Sequence, residues 1–195
     1  MKNFLDIAID NQRCAHEIIK QTEIMDIWQS VGAQINLVGS LKMGLLMKHC
    51  DIDFHVYTSP FNLNASFIAM EKLAENSHIK IVSYHNFLDM EDNCVQWQAI
   101  YEDDDNRQWQ IDICHIVKDS RYDGYFEHVA DRILKVLTDE TKKAILRLKY
   151  ETPESEHIMG IEYYQAVLRD GVRTCEDFEN WRKNHPTEGI VEWIP

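Results

Sequence analysis

Two stretches of this chain alternate so strictly that they dictate a sheet with one buried face. In Asp51-Ile52-Asp53-Phe54-His55-Val56, an extended backbone sends Ile52, Phe54 and Val56 to one side and Asp51, Asp53 and His55 to the other. In Trp109-Gln110-Ile111-Asp112-Ile113-Cys114, Trp109, Ile111 and Ile113 share one face, and Gln110, Asp112 and Cys114 share the other. Carboxylates are not buried against hydrocarbon without partners, so the acidic face must meet water or a cation. Two carboxylates about 6.6 Å apart on one strand face can grip a divalent metal. Asp112 is a lone acid in an otherwise uncharged strand, and a metal held by Asp51 and Asp53 would supply its partner.

The surrounding pattern places these strands in an α/β region. Residues 3–30 carry apolar residues at helical spacing, as one long helix or two. Strands are expected at 35–38, 52–57 and 79–84, and a hairpin from 95–101 and 108–117. Helices are expected at 41–47 and 64–76. After residue 120 the pattern turns helical: 123–137, 139–150, a helix opened by Thr152-Pro153 and running to about Asp170, and a last one capped by Thr174 and Asp177. The expected organisation is residues 1–118 as an α/β (α+β) unit, a mixed twisted sheet flanked by helices, followed by a helical region at 119–195.

Composition narrows the function classes. The 195 residues carry 20 Lys+Arg against 33 Asp+Glu, a net charge of −13, and are 45% hydrophobic, enough for a real core. No apolar run approaches the ~18 residues of a membrane span, and Asp6 and Asp10 interrupt the N-terminal apolar pattern as no secretory signal would. The acid excess argues against nucleic acid as a partner and against a template-directed polymerase. It suits a small, cationic acceptor better than a polyanion. Five widely spaced cysteines with no C-x-x-C pair read as free thiols, the pattern of a cytoplasmic protein.

Upstream of the Asp pair, Val38-Gly39-Ser40 turns a strand into a helix. Glycine lets backbone approach a ligand closely, and backbone N–H groups at a helix start together with the Ser40 hydroxyl suit a phosphate. Gly39 and Gly44 also fit half of a P-loop, but Leu45-Leu46 stand where its Lys-Ser/Thr would be.

The ordered combination Val38-Gly39-Ser40, Asp51-Ile52-Asp53 and Ile111-Asp112-Ile113 resembles the DNA polymerase β-like nucleotidyltransferase superfamily, over about residues 30–118. It looks most like the small members that modify small molecules or proteins, such as antibiotic nucleotidyltransferases. The resemblance implies a nucleotidyltransferase fold and two Mg²⁺ ions held by Asp51, Asp53 and Asp112. It also implies a nucleoside triphosphate, ATP included, resting on Gly39 and Ser40. Asp112 would help deprotonate an acceptor hydroxyl on a small molecule or protein. Lys42 is near enough in sequence to neutralise phosphate, and His55 is a candidate on the substrate side. The rival readings are a silent nucleotide- or partner-binding module such as an antitoxin, and a metal-dependent phosphohydrolase. Tyr164, Leu168 and Trp181 are expected to pack in the helical core.

Overall fold

The computed structural model describes residues 3–187 and 189–195. Its centre is a five-stranded sheet of β1 (Gln34–Leu37), β2 (Asp51–Tyr57), β3 (Ile79–Phe87), β4 (Cys94–Glu102) and β5 (Gln108–Ile116), in the order β1-β2-β5-β4-β3. Only β2 and β5 run parallel; the other neighbours are antiparallel, so the sheet is mixed. The parallel pair sets Asp53 directly beside Asp112 and Ile52 beside Ile111. Both alternating stretches therefore put their acids on the same face.

The apolar face is covered by α1 (Phe4–Gln21), α2 (Ile24–Ser30) and α4 (Leu63–Ala74). Ile52, Phe54, Ile111 and Ile113 pack there against Ile18, Trp28, Met70 and Leu73. The N-terminal helical pattern breaks at Glu23, whose φ of 51° lies in the left-handed region. A second cluster joins α5 (Tyr125–Val136), α6 (Asp139–Glu151), α7 (Gly160–Tyr164) and α8 (Cys175–Asn184), with Ile133, Ile145, Leu148 and Phe178 at its centre. Helix α1 supplies Ala8 to this cluster and Ala15 to the first. No helix among the described residues is long and apolar enough to cross a membrane, and all five cysteines are free.

Two expected helices are misplaced. The one expected at 41–47 is a single turn, α3 (Gly39–Lys42). Beyond Gly44, at φ 68°, the chain is irregular. Leu45 and Met47 enter the helical cluster, while Leu46 enters the sheet cluster. Alternate side chains sent to opposite sides require extended backbone, which outweighs helical spacing here. The helix expected from Thr152 begins only at Gly160 and ends in a π-turn at Gln165–Arg169. Thr152 closes α6, its hydroxyl and N–H both donating to the Leu148 carbonyl. Pro153 is thus a stop rather than a start, and exposed Glu154, Ser155, Glu156 and His157 offer nothing to bury.

Candidate active site

Where the acidic face of β2 meets the helical cluster, a cavity of about 580 Å³ opens. Asp51, Asp53 and His55 line it from β2, and Gly39 and Ser40 from the turn after β1. Phe126 and Val129 of α5, Lys149 of α6, and Tyr163 and Tyr164 of α7 form the opposite wall.

Gly39 is required by this geometry. Its φ is 66°, and a Cβ built on it would lie 2.7 Å from Asp53 Cγ. The Gly-Ser backbone is thereby pressed against the Asp53 carboxylate, which a side chain at this position would prevent. The helix that follows is one turn long, so it adds little dipole; what the turn offers a phosphate is close backbone and the Ser40 hydroxyl.

The carboxylates repel one another. Burial, then the charges of Asp112 and Asp51, raise the Asp53 carboxyl to about 7. Burial and the Asp112 charge raise Asp51 as well. Such a group is ready for a cation. Asp112 stands beside Asp53 in register but does not line the cavity. Its two oxygens accept from Gln98 Nε2 (3.3 Å) and Gln110 Nε2 (2.7 Å). Among the described residues, no three His, Cys, Asp or Glu side chains are gathered closely enough to hold one metal ion. The hard-oxygen donor set and the electrostatic strain at Asp53 fit a divalent cation on Asp51 and Asp53, with Asp112 able to join once it leaves its glutamines.

The cation in the cavity is Lys149, not Lys42. Lys42 pairs with Asp131 of α5 at 2.9 Å and does not line the cavity. Lys149 Nζ donates to the Leu45 carbonyl (3.0 Å) and reaches the Tyr164 hydroxyl (3.4 Å). Burial lowers its pKa to about 8, against the pull of Asp53 and Asp51. It makes no direct ion pair with either carboxylate, so its charge stays available to an anion. The one sequence signal for it is a lysine next to buried Leu148, on the side of α6 that packs inward.

His55 is held from behind. Its Nδ1 lies 3.2 Å from Glu127 Oε2, and Phe126 meets its ring edge-on. Glu127 also accepts from the Tyr57 hydroxyl (2.8 Å) and Asn36 Nδ2 (3.2 Å). Burial opposes the Glu127 charge, but His55 and Tyr57 hold its pKa at about 2. Nothing in the sequence linked residue 127 to residue 55. Tyr164 is buried as expected of a core residue, as is Tyr163 before it, yet both also face the cavity.

No family model matches the chain, and no curated protein matches it. Solved structures do. An RNA terminal U-transferase described as cytoplasmic aligns over 86% of this chain and 51% of its own, with a TM-score of 0.55 and 14% identity. A structure of Cid1, described for its RNA terminal uridylyl transferase activity, aligns over 86% and 54%, with a TM-score of 0.58 and 14% identity. The chain shares the fold of these nucleotidyltransferase structures, a mixed sheet flanked by helices. The polymerase core of TRAMP, an RNA surveillance complex, shares it over 86% of this chain and 57% of its own, at a TM-score of 0.53 and 12% identity. The chain spans about half the length of these nucleotidyltransferase-fold structures. These neighbours correct one expectation. They are described by their work on RNA, so this fold is no stranger to nucleic acid, and a net charge of −13 does not exclude it. Net charge sums the whole surface and is silent about any one groove.

Proposed function

We propose that the chain is a metal-dependent nucleotidyltransferase that moves a nucleoside monophosphate from a nucleoside triphosphate to an acceptor hydroxyl. The observation that carries this reading is the contact of the Gly39-Ser40 turn with Asp53 at one end of a cavity that also holds Asp51 and Lys149. Ser40 and the adjoining backbone would cradle the phosphates, and Lys149 would offset their charge. Asp51 and Asp53 would hold Mg²⁺, with Asp112 completing the set after release from Gln98 and Gln110. When bound, the cation neutralises phosphate charge and eases ionisation of the acceptor hydroxyl. Asp112, once freed from its amides, would take the hydroxyl proton. The apolar wall of Phe126, Val129 and Tyr163 suits a base or another flat group.

One observation favours a binding-only module: both Asp112 oxygens are engaged. The four nucleoside triphosphates, tested with Mg²⁺ and a panel of acceptors, separate the readings. A transferase releases pyrophosphate only with an acceptor, and loses that release in Asp53→Asn. A hydrolase releases phosphate without one. A silent module binds nucleotide and releases nothing.

A further inference from the structure

Beside the cavity runs a second, polar groove of about 640 Å³, lined by Asn11, Lys48, His49, Arg107, Gln108 and His157 among others. His49 and His157 line both spaces, so the groove adjoins the cavity that holds Asp51. In a chain with 33 acids and 20 Lys and Arg, this is an uncommon gathering of basic groups. Glu154 is the one acid among its lining residues.

The two permanent cations are held by neutral groups. Six arginines of this chain sit in ion pairs with carboxylates: Arg13, Arg121, Arg147, Arg169, Arg173 and Arg182. Arg107 does not. Its Nε donates to Cys50 Sγ (3.0 Å), its Nη1 to Asn11 Oδ1 (2.9 Å), and its guanidinium lies 4.6 Å over the Trp109 ring. Nη2 makes no bond within the described chain. Lys48 donates to the Thr152 carbonyl (2.6 Å) and has no carboxylate partner among the described residues. A guanidinium oriented by stacking, with one nitrogen free, is built to meet an oxyanion. The imidazoles of His49 and His157 add N–H donors.

Position says whose phosphate this would be. Asp51 and Asp53 form a row on β2. The Gly39-Ser40 turn abuts the Asp53 end, where the triphosphate is placed in the reading above. The groove abuts the other end, because His49 and Cys50 immediately precede Asp51. We propose that the groove binds a phosphate ester carried by the acceptor, and so selects phosphorylated acceptors. This rests on the nucleotidyl-transfer reading for its direction, and replaces the cationic acceptor expected from net charge.

The test uses the full chain without nucleotide and two probes, an RNA trinucleotide and glucose 6-phosphate, titrated by calorimetry at low salt. At least one probe binds, and Lys48→Glu and Arg107→Gln each weaken it tenfold or more. Their affinity for Mg²⁺–nucleoside triphosphate changes less than threefold. Binding of RNA alone identifies a nucleic-acid backbone, and binding of the sugar phosphate a small phosphorylated acceptor. Arg107→Gln keeps a donor for Asn11, so it serves if Lys48→Glu does not fold. The proposal is overturned if neither probe binds, if both variants bind as the parent does, or if triphosphate affinity falls in parallel. Asp53→Asn keeps probe binding, so transfer surviving in that variant sinks the activity reading alone.

Discussion

Asp53 concentrates the electrostatics of the site. It is half-buried, faces two carboxylates, and has Gly39 backbone against it. Asp53→Asn keeps the shape and removes the charge. Pyrophosphate release should fall on the order of 10²–10³-fold, while the metal-free variant melts higher than the parent above neutral pH. Unchanged turnover, or a lower melting temperature, would contradict the role given to this carboxylate. Lys149→Met removes the cavity's cation; triphosphate should bind about tenfold more weakly or worse, a loss of about 1.4 kcal/mol, read by calorimetry. The two assignments were not equally legible. The period of β2 exposes Asp51 and Asp53 to anyone reading the sequence, because strand alternation is a local property. Lys149 is almost a hundred residues away and looks like one more solvated helix lysine. Lys42, closer in sequence, was the natural choice, and its ion pair with Asp131 takes it out of the cavity.

The elements work through their ends and turns. The turn after β1 needs a residue that accepts φ 66° and has no Cβ. Gly39→Ala should therefore cost at least about 1–2 kcal/mol from backbone conformation alone, with the overlap at Asp53 added, and should abolish transfer. A variant that folded and worked normally would show that the close approach is dispensable. Helix α8 depends on Thr174, whose hydroxyl accepts from the Asp177 N–H. Thr174→Ala should cost about 1 kcal/mol in urea denaturation without affecting nucleotide binding. This cap was legible because capping is a rule about four consecutive residues. The same local rules failed at Thr152-Pro153. There, a threonine and proline read as a start form a stop, because the following segment has no apolar stripe to pack.

At the scale of the molecule, a sheet cluster and a helical cluster enclose the charged cavity between them, and their burial of charge makes stability depend on pH. The raised Asp53 pKa, about 7, favours the folded state below about pH 4, and this contribution is lost as pH rises through 7. The lowered Lys149 pKa contributes above about pH 10.5 and is lost as pH falls through 8. Together they leave a minimum between about pH 7 and 8. Buried His115, lowered to about 4, works in the opposite direction and costs stability as pH falls from about 6.5, so the Asp53 contribution is read against Asp53→Asn. Between pH 5 and 7.5 the metal-free parent should lose melting temperature relative to Asp53→Asn, and millimolar Mg²⁺ should restore the loss at pH 7.5 only. A parent that tracks Asp53→Asn across this range, or equal effects of Mg²⁺ at both pH values, would mean that Asp53 is not the cation site. What rests on neighbours in the chain could be read from the residues alone. Strand periodicity gave two strands with acids on one face, the Gly-Ser turn marked the close approach, and most helices followed from their stripes and caps. What rests on residues far apart came from packing. Parallel pairing set Asp112 beside Asp53, and Gln98 and Gln110 took up its oxygens. Packing of α6 brought Lys149 into the cavity that Asp51 and Asp53 line, and α1 and β5 together oriented Arg107 in the neighbouring groove. A charge's effect depends on which groups surround it and how much water they exclude, and in this chain the distant segments supply both.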